Sequence, residues 1–179
     1  MPAVAERTVV TAWPSICEGA WGRSLGQVYS WRAGVRVGGV PLTLGWLLVL
    51  LTAPLAALLY LGRKAPRKPF VLFGPINRDC LRYRITTRRV VIEHPMERRA
   101  APVAELPLAD FDEAAIEPRP GQTWFDAADV VLLAGGEERL RLAGIARPEP
   151  FVQTLLKTQS AFVQRRPSAE RQAGRPRGD

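Results

Sequence analysis

The sequence predicts a membrane-anchored α+β protein, with one transmembrane helix followed by a strand-rich domain that an amphipathic helix closes. Three observations carry this expectation. No Asp, Glu, Lys, Arg or His stands between Arg36 and Arg63, and VPLTLGWLLVLLTAPLAALLYL, from Val40 to Leu61, is apolar on every helical face. Short alternating runs separated by turn residues extend from Leu81 to Leu142. A stretch of helical period, PEPFVQTLLKTQSAFVQRR, comes after them.

At a rise of about 1.5 Å per residue, roughly 20 apolar residues cross about 30 Å of hydrocarbon, so residues 40–62 are assigned to a span. Pro54 is compatible with it, because neighbours and local adjustments satisfy the freed carbonyl in membrane helices. Trp46 and Tyr60 stand towards opposite ends, where amphipathic rings favour the interfaces. The segment starts too far from Met1, and is too long, for a cleavable signal peptide. Arg63, Lys64, Arg67, Lys68 and Arg78 after it outnumber Arg23, Arg32 and Arg36 before it. By the basic-residue bias the domain beyond the span is cytoplasmic, and the chain is a single-pass protein of the inner (plasma) membrane.

Residues 1–39 hold Trp13, Trp21, Tyr29 and Trp31 among small residues without sustained period, and two readings stand: an interfacial segment, or a loosely ordered arm. Residues 63–69, RKAPRKP, form a basic linker whose prolines cannot continue a helix. The domain assigned to 70–166 then begins. Leu81, Tyr83 and Ile85 alternate with Arg82, Arg84 and Thr86, the period of a half-buried strand. Val90 and Ile92 resume after a Thr-Thr-Arg break, so the two runs form a hairpin. ELPLADFDEAAIEP reads as one bent strand, residues 118–121 as a turn and Val130–Leu133 as a short buried strand. Gly135-Gly136 permits the positive φ of a tight turn, after which Leu140 and Leu142 face inward and Arg139 and Arg141 outward. The final helix starts at Pro148 and Glu149 and sets Phe151, Leu155 and Phe162 beside Val152, Leu156 and Val163 on one face. Pro167 stops it, and 167–179 is a disordered basic tail.

The net charge of +8 divides into +2 before the span, +3 from Arg63 to Gln164 and +3 from Arg165 onward. Nucleic acid binding requires a concentrated basic face, which this distribution does not supply. The cations flanking the span and in the tail suit anionic lipid headgroups, at about 1 kcal/mol per near-surface cation. Cys17 and Cys80 lie on opposite sides of the span, which disfavours a bridge, and no Cys/His cluster suggests zinc. No cofactor is expected, since no phosphate-cradling glycine loop occurs. The carboxylate groups Asp110, Asp112, Glu113 and Asp126, Asp129 do not follow a calcium-loop spacing, so solvated or turn-capping roles are preferred to a metal site. His94, the only histidine, has no nucleophile elbow to serve.

The junction Thr86-Thr87-Arg88-Arg89 admits two readings. Threonine hydroxyls bond backbone groups at turns, and an arginine following them pairs with a carboxylate of another strand. Alternatively Arg84, Arg88, Arg98 and Arg99, with Lys64, Arg67 and Lys68 beside the bilayer, form an anion-binding surface for lipid phosphate. The structural reading is preferred.

The stretch YRITTRRVVIEHP resembles the opening hairpin of the bacterial pleckstrin-homology-like domain found in small membrane proteins, whose Tyr-x-x-Thr-x-x-Arg pattern falls here on Tyr83, Thr86 and Arg89. LPLADF and LAGIARPEPFVQTL resemble its next strand and its last strand leading into the helix, so the resemblance covers about Phe70 to Gln164. Where the family often carries a Gly-x-Gly-Asp turn, this chain reads Asp126-Ala127-Ala128-Asp129. The resemblance implies a PH-like β-barrel or sandwich capped by a C-terminal helix, and no enzyme activity. The function expected is a single-span membrane protein presenting a cytoplasmic binding or assembly module. Its partners would be the lipid bilayer and a protein or a second copy of the chain. The alternative is an enzyme subunit or metal-dependent hydrolase using the Asp126/Asp129 loop.

Overall fold

The computed structural model describes residues 6–31, 34–37, 40–64, 81–94 and 101–173. Along the chain they form β1 (Thr8–Ala12), α1 (Ala20–Tyr29), β2 (Gly34–Val37), β3 (Val40–Thr43), α2 (Leu44–Lys64), β4 (Arg82–Thr86), β5 (Arg89–Glu93), β6 (Ala104–Pro107), β7 (Glu113–Glu117), β8 (Ala127–Ala134), β9 (Glu137–Ala146) and α3 (Pro148–Ala173). Two antiparallel sheets result, one in the order β1-β4-β5-β6 and one in the order β7-β8-β9, with β2 and β3 paired separately. No ladder joins the two larger sheets among the described residues, and an isolated bridge from Pro14 to Ile145 links their margins. The barrel closure expected from the sequence is therefore absent, and the fold is a small α+β structure with open sheets.

Alternation decides which residues meet. Tyr83, Ile85, Val90 and Ile92 from the first sheet pack with Val130, Leu132, Leu142 and Ile145 from the second. Leu108 and Phe111 come from the connection between β6 and β7, and Phe151, Val152 and Leu155 from α3. The hairpin expected over Tyr83–Ile92 is present, with Tyr83 opposite Ile92 and Ile85 opposite Val90. The segment 105–118 is not one bent strand: Pro107 ends β6 on the first sheet, and Glu113 opens β7 on the second. Gln159 of α3 donates to the carbonyls of Phe111 (2.5 Å) and Leu108 (3.3 Å), fastening the helix to that crossing.

The described residues before 65 are part of the fold. Thr11 pairs with Arg84 and Ala12 with Tyr83, so the segment read as an N-terminal arm supplies an edge strand of the first sheet. Ser15 N–H donates to the Gly144 carbonyl at 2.7 Å, which carries the chain on to the second sheet. Gly144 sits at φ +65°, and a side chain there would strike the Glu18 backbone, so the close approach needs glycine.

The transmembrane helix expected over 40–62 is overturned, and with it the single-pass inner-membrane placement and its cytoplasmic C-terminal domain. Among the described residues no helix is long and apolar enough to cross a membrane. Residues 40–43 belong to strand β3 and pair with β2. The helix α2 starts only at Leu44, so the first residues of the assigned span are strand and not helix. One face of α2 is already occupied by α1. A Cβ on Gly45 would strike the Tyr29 carbonyl oxygen, and the Thr52 and Tyr29 hydroxyls bond each other.

The last helix also departs from expectation. It continues through Pro167 to Ala173, so 167–173 of the segment assigned as a tail are helical, and residues 174–179 lie outside the described residues. Phe151, Val152 and Leu155 are buried and Phe162 packs partly against them, whereas Leu156 and Val163 are exposed. Leu155→Ala is expected to cost about 2–5 kcal/mol by opening a core cavity, while Leu156→Ala changes stability by at most about 0.5 kcal/mol. Urea unfolding of the two variants measures the difference, and equal losses would contradict the assignment of the buried face.

Candidate functional site

The junction that raised the ligand question is a folded turn. Thr86 is buried, and its hydroxyl accepts from the N–H groups of Arg88 (3.2 Å) and Arg89 (2.9 Å) while donating to the Arg89 carbonyl (2.8 Å). Thr87 N–H donates to the Arg7 carbonyl at 2.9 Å, and Arg7 N–H returns a bond to the Thr87 hydroxyl at 3.2 Å. Arg89 then spans three strands' worth of chain. Its Nε and Nη2 grip both oxygens of Glu6 at 3.0 Å, and its Nη1 meets Glu105 of β6 at 2.6 Å. This pairing with Arg89 holds the Glu6 carboxyl below its usual range. The favourable contribution is present above the ordinary carboxylate value and is lost as pH falls through the lowered one.

Of the proposed anion-binding residues, the structure places two. Arg84 lies on β4, 3.4 Å from Glu93, which also accepts from Arg82 Nε at 2.8 Å. A phosphate reaching Arg84 therefore competes with a carboxylate already shared by two arginines. Arg88 is exposed in the turn after β4. Lys64 ends α2 with its side chain outside the described residues, and Arg67, Lys68, Arg98 and Arg99 also lie outside them, as does Cys80. A convergent cationic site is not assembled from the two arginines in view.

The carboxylates proposed for chemistry have structural tasks. Asp129 is fully buried, and its Oδ1 accepts from Gln122 Nε2 (2.6 Å) and Gly144 N–H (2.9 Å). Its Oδ2 faces Arg119 Nε at 2.7 Å and Arg141 Nη1 at 3.5 Å, as ion pairs without hydrogen-bond alignment. Arg141 also binds Glu117 and Glu138, so the network lies across the outer side of the second sheet. Asp126 occupies the left-handed region at φ 49°, and its carbonyl accepts from Arg147 N–H at 2.8 Å. Asp tolerates that conformation better than most residues, so the turn forms without a glycine there. Asp112 caps the tight turn by accepting from Gly135 N–H at 2.9 Å. Among the described residues no three metal-ligating side chains come together.

What sequence reasoning missed is an exposed apolar surface carried by α2. Gly45 and Thr52 face α1, which turns Trp46, Leu47, Leu50, Leu51, Leu55, Leu58 and Tyr60 outward, with Leu51 77% and Leu50 65% exposed. The signal was in view as the all-round apolarity of 40–61, but that pattern does not tell a face docked on protein from one that is open. Tyr29 fixes the arrangement: it is buried, bonds Thr52, and meets Trp124 and Phe125 edge to face at 5.8 and 6.3 Å. Trp124 is itself half exposed, as are Trp31 and Trp46. The contact of α1 with the 118–121 turn is made by Gly26 and Gly121, where a Cβ on either would enter the other segment's backbone.

The chain matches no family model, no curated protein and no solved structure, so the resemblance to PH-like domains rests on the quoted residues alone.

Two outcomes follow from this geometry. Asp129→Ala strands Gln122, Gly144 N–H and two arginines, and should destabilise the fold by about 3 kcal/mol or more in urea unfolding; a loss below about 1 kcal/mol would contradict the role given to the carboxylate. Tyr83 is buried and donates to the Ala143 carbonyl at 3.0 Å. Burial, and then the Glu18 charge, push its phenol far above the ordinary value. Stability held by the neutral phenol is complete below the unfolded value of about 10 and is lost as pH rises past it. Tyr83→Phe should therefore be less stable by about 1 kcal/mol at pH 7, with the gap to wild type closing above about pH 10. Unfolding curves of both proteins from pH 7 to 11 would refute this by keeping a constant gap.

Proposed function

We propose that this chain is a non-catalytic binding and assembly module, and that the apolar face of α2 is the surface that receives a protein partner. The observation that supports the reading most is the outward set Trp46, Leu47, Leu50, Leu51, Leu55 and Leu58 on a helix held rigidly by Tyr29 and Thr52. Contiguous apolar patches beyond a few hundred Å² are uncommon on proteins without an interaction to make, and tryptophans at the margin are favoured anchors. The competing hydrolase reading of Asp126 and Asp129 loses support, because Asp129 is fully buried and its carboxylate is engaged by four protein groups, Gln122, Gly144, Arg119 and Arg141.

The test separates stability from association. Leu50→Glu with Leu51→Glu alters only exposed side chains, so the melting temperature should stay within about the change that 0.5 kcal/mol produces. The same double variant should lose the protein's cellular association, read as the size of its cross-linked complex, whereas Asp126→Asn should keep it. Retained assembly in a folded double Glu variant, or loss of function in a folded Asp126→Asn variant, would overturn the reading.

A further inference from the structure

We infer that the partner of the α2 face is a second copy of this chain, paired through an isologous helix–helix contact. The inference rests on the assembly reading above and adds the identity of the partner. Leu47, Leu51, Leu55 and Leu58 follow one another at steps of four, four and three residues, and Leu50 and Trp46 adjoin them. Their side chains therefore form a continuous stripe on the side of α2 away from Gly45 and Thr52.

The size of the stripe is that of a self-pairing surface. With exposures between 39% for Leu58 and 77% for Leu51, the six side chains offer roughly 600 Å² per copy. Two copies would then bury roughly 1,200 Å², the lower bound of a stable specific interface. A twofold contact sets each residue against its own kind or its symmetry mate, so the patch must be complementary to itself. An uncharged, leucine-rich stripe meets that requirement. Residues 45–60 contain no Asp, Glu, Lys, Arg or His, so pairing brings no like charges together at neutral pH, although the chain as a whole carries +8. The stripe also offers no charge by which an acidic or basic partner would be selected.

Sedimentation of the full-length chain in aqueous buffer is expected to give the mass of a dimer. Leu47→Lys with Leu51→Lys should give a monomer with an unchanged circular dichroism melt. Should that variant fail to fold, cysteine cross-linking decides: in a Cys17→Ala, Cys80→Ala background, Leu47→Cys, Leu51→Cys or Leu58→Cys should form a disulfide-linked dimer that Val103→Cys, exposed elsewhere, does not. Three results would overturn the proposal. They are a monomeric wild type, cross-linking no greater at the helix than at Val103→Cys, or a wild type that binds neutral phosphatidylcholine vesicles as a monomer. A monomer that still enters a complex with a different protein, in a manner abolished by Leu50→Glu with Leu51→Glu, overturns self-pairing and leaves the assembly reading standing. A folded double Glu variant that keeps its complexes removes both.

Discussion

The buried carboxylate of Asp129 organises the end of the molecule on which the rest depends. A charge without solvent access is tolerated only when donors and opposite charges surround it, and here Gln122 and Gly144 donate hydrogen bonds while Arg119 and Arg141 supply the positive charge. Each of these residues fixes a different piece of chain. Gln122 closes the 119–122 turn by accepting from Arg119 N–H at 2.8 Å, Gly144 holds the irregular part of β9, and Arg141 reaches across to Glu117 on β7. Gly144 in turn receives Ser15 N–H on its carbonyl, so the same few atoms join the second sheet to the N-terminal segment.

From that junction the positions of α1 and α2 follow. The chain leaving Ser15 turns through Ile16–Glu18 into α1, whose Gly22 and Gly26 permit backbone contact with Ile16 and Gly121. Tyr29 at the end of α1 then seats both α2 and the Trp124–Phe125 turn. The apolar face of α2 is thus presented by a scaffold of close backbone contacts and buried hydrogen bonds. A rigid presentation matters for association, because a partner that meets a preformed surface does not have to order it.

Much of the β framework was legible in the sequence where local pattern and turn chemistry agree. The alternation around Thr86-Thr87-Arg88-Arg89 and the Gly135-Gly136 pair each located a hairpin, and Pro148 marked the start of the last helix. The residues 105–118 did not disclose their crossing between sheets, because Pro107 and the polar run after it read equally as a bend. β1 was overlooked although TVVTA is rich in β-branched residues, since its partner β4 lies some seventy residues away and pairing at that distance leaves no local mark. Membrane crossing was misjudged for a related reason: composition records how apolar Val40–Leu61 is, and is silent on β3 and on the docking of Gly45 and Thr52 against α1. The candidate site shows the same limit. Asp129 reads in the sequence as a solvated or turn-capping carboxylate, whereas it is fully buried, and its partners come from turns and strands whose convergence only the fold reveals.

Native-state amide hydrogen exchange tests most directly the claim that the N-terminal segment and the two sheets form one unit organised about Asp129 and Gly144. The amides of Ser15 and Gly144, which belong to the shared junction, and that of Thr87, whose bond to the Arg7 carbonyl holds the start of the N-terminal segment to the first sheet, should exchange with an opening free energy close to that of Val130 in the core of β8. Fast, independent exchange at Ser15 and Thr87 with Val130 still protected would show a detachable arm and contradict the account.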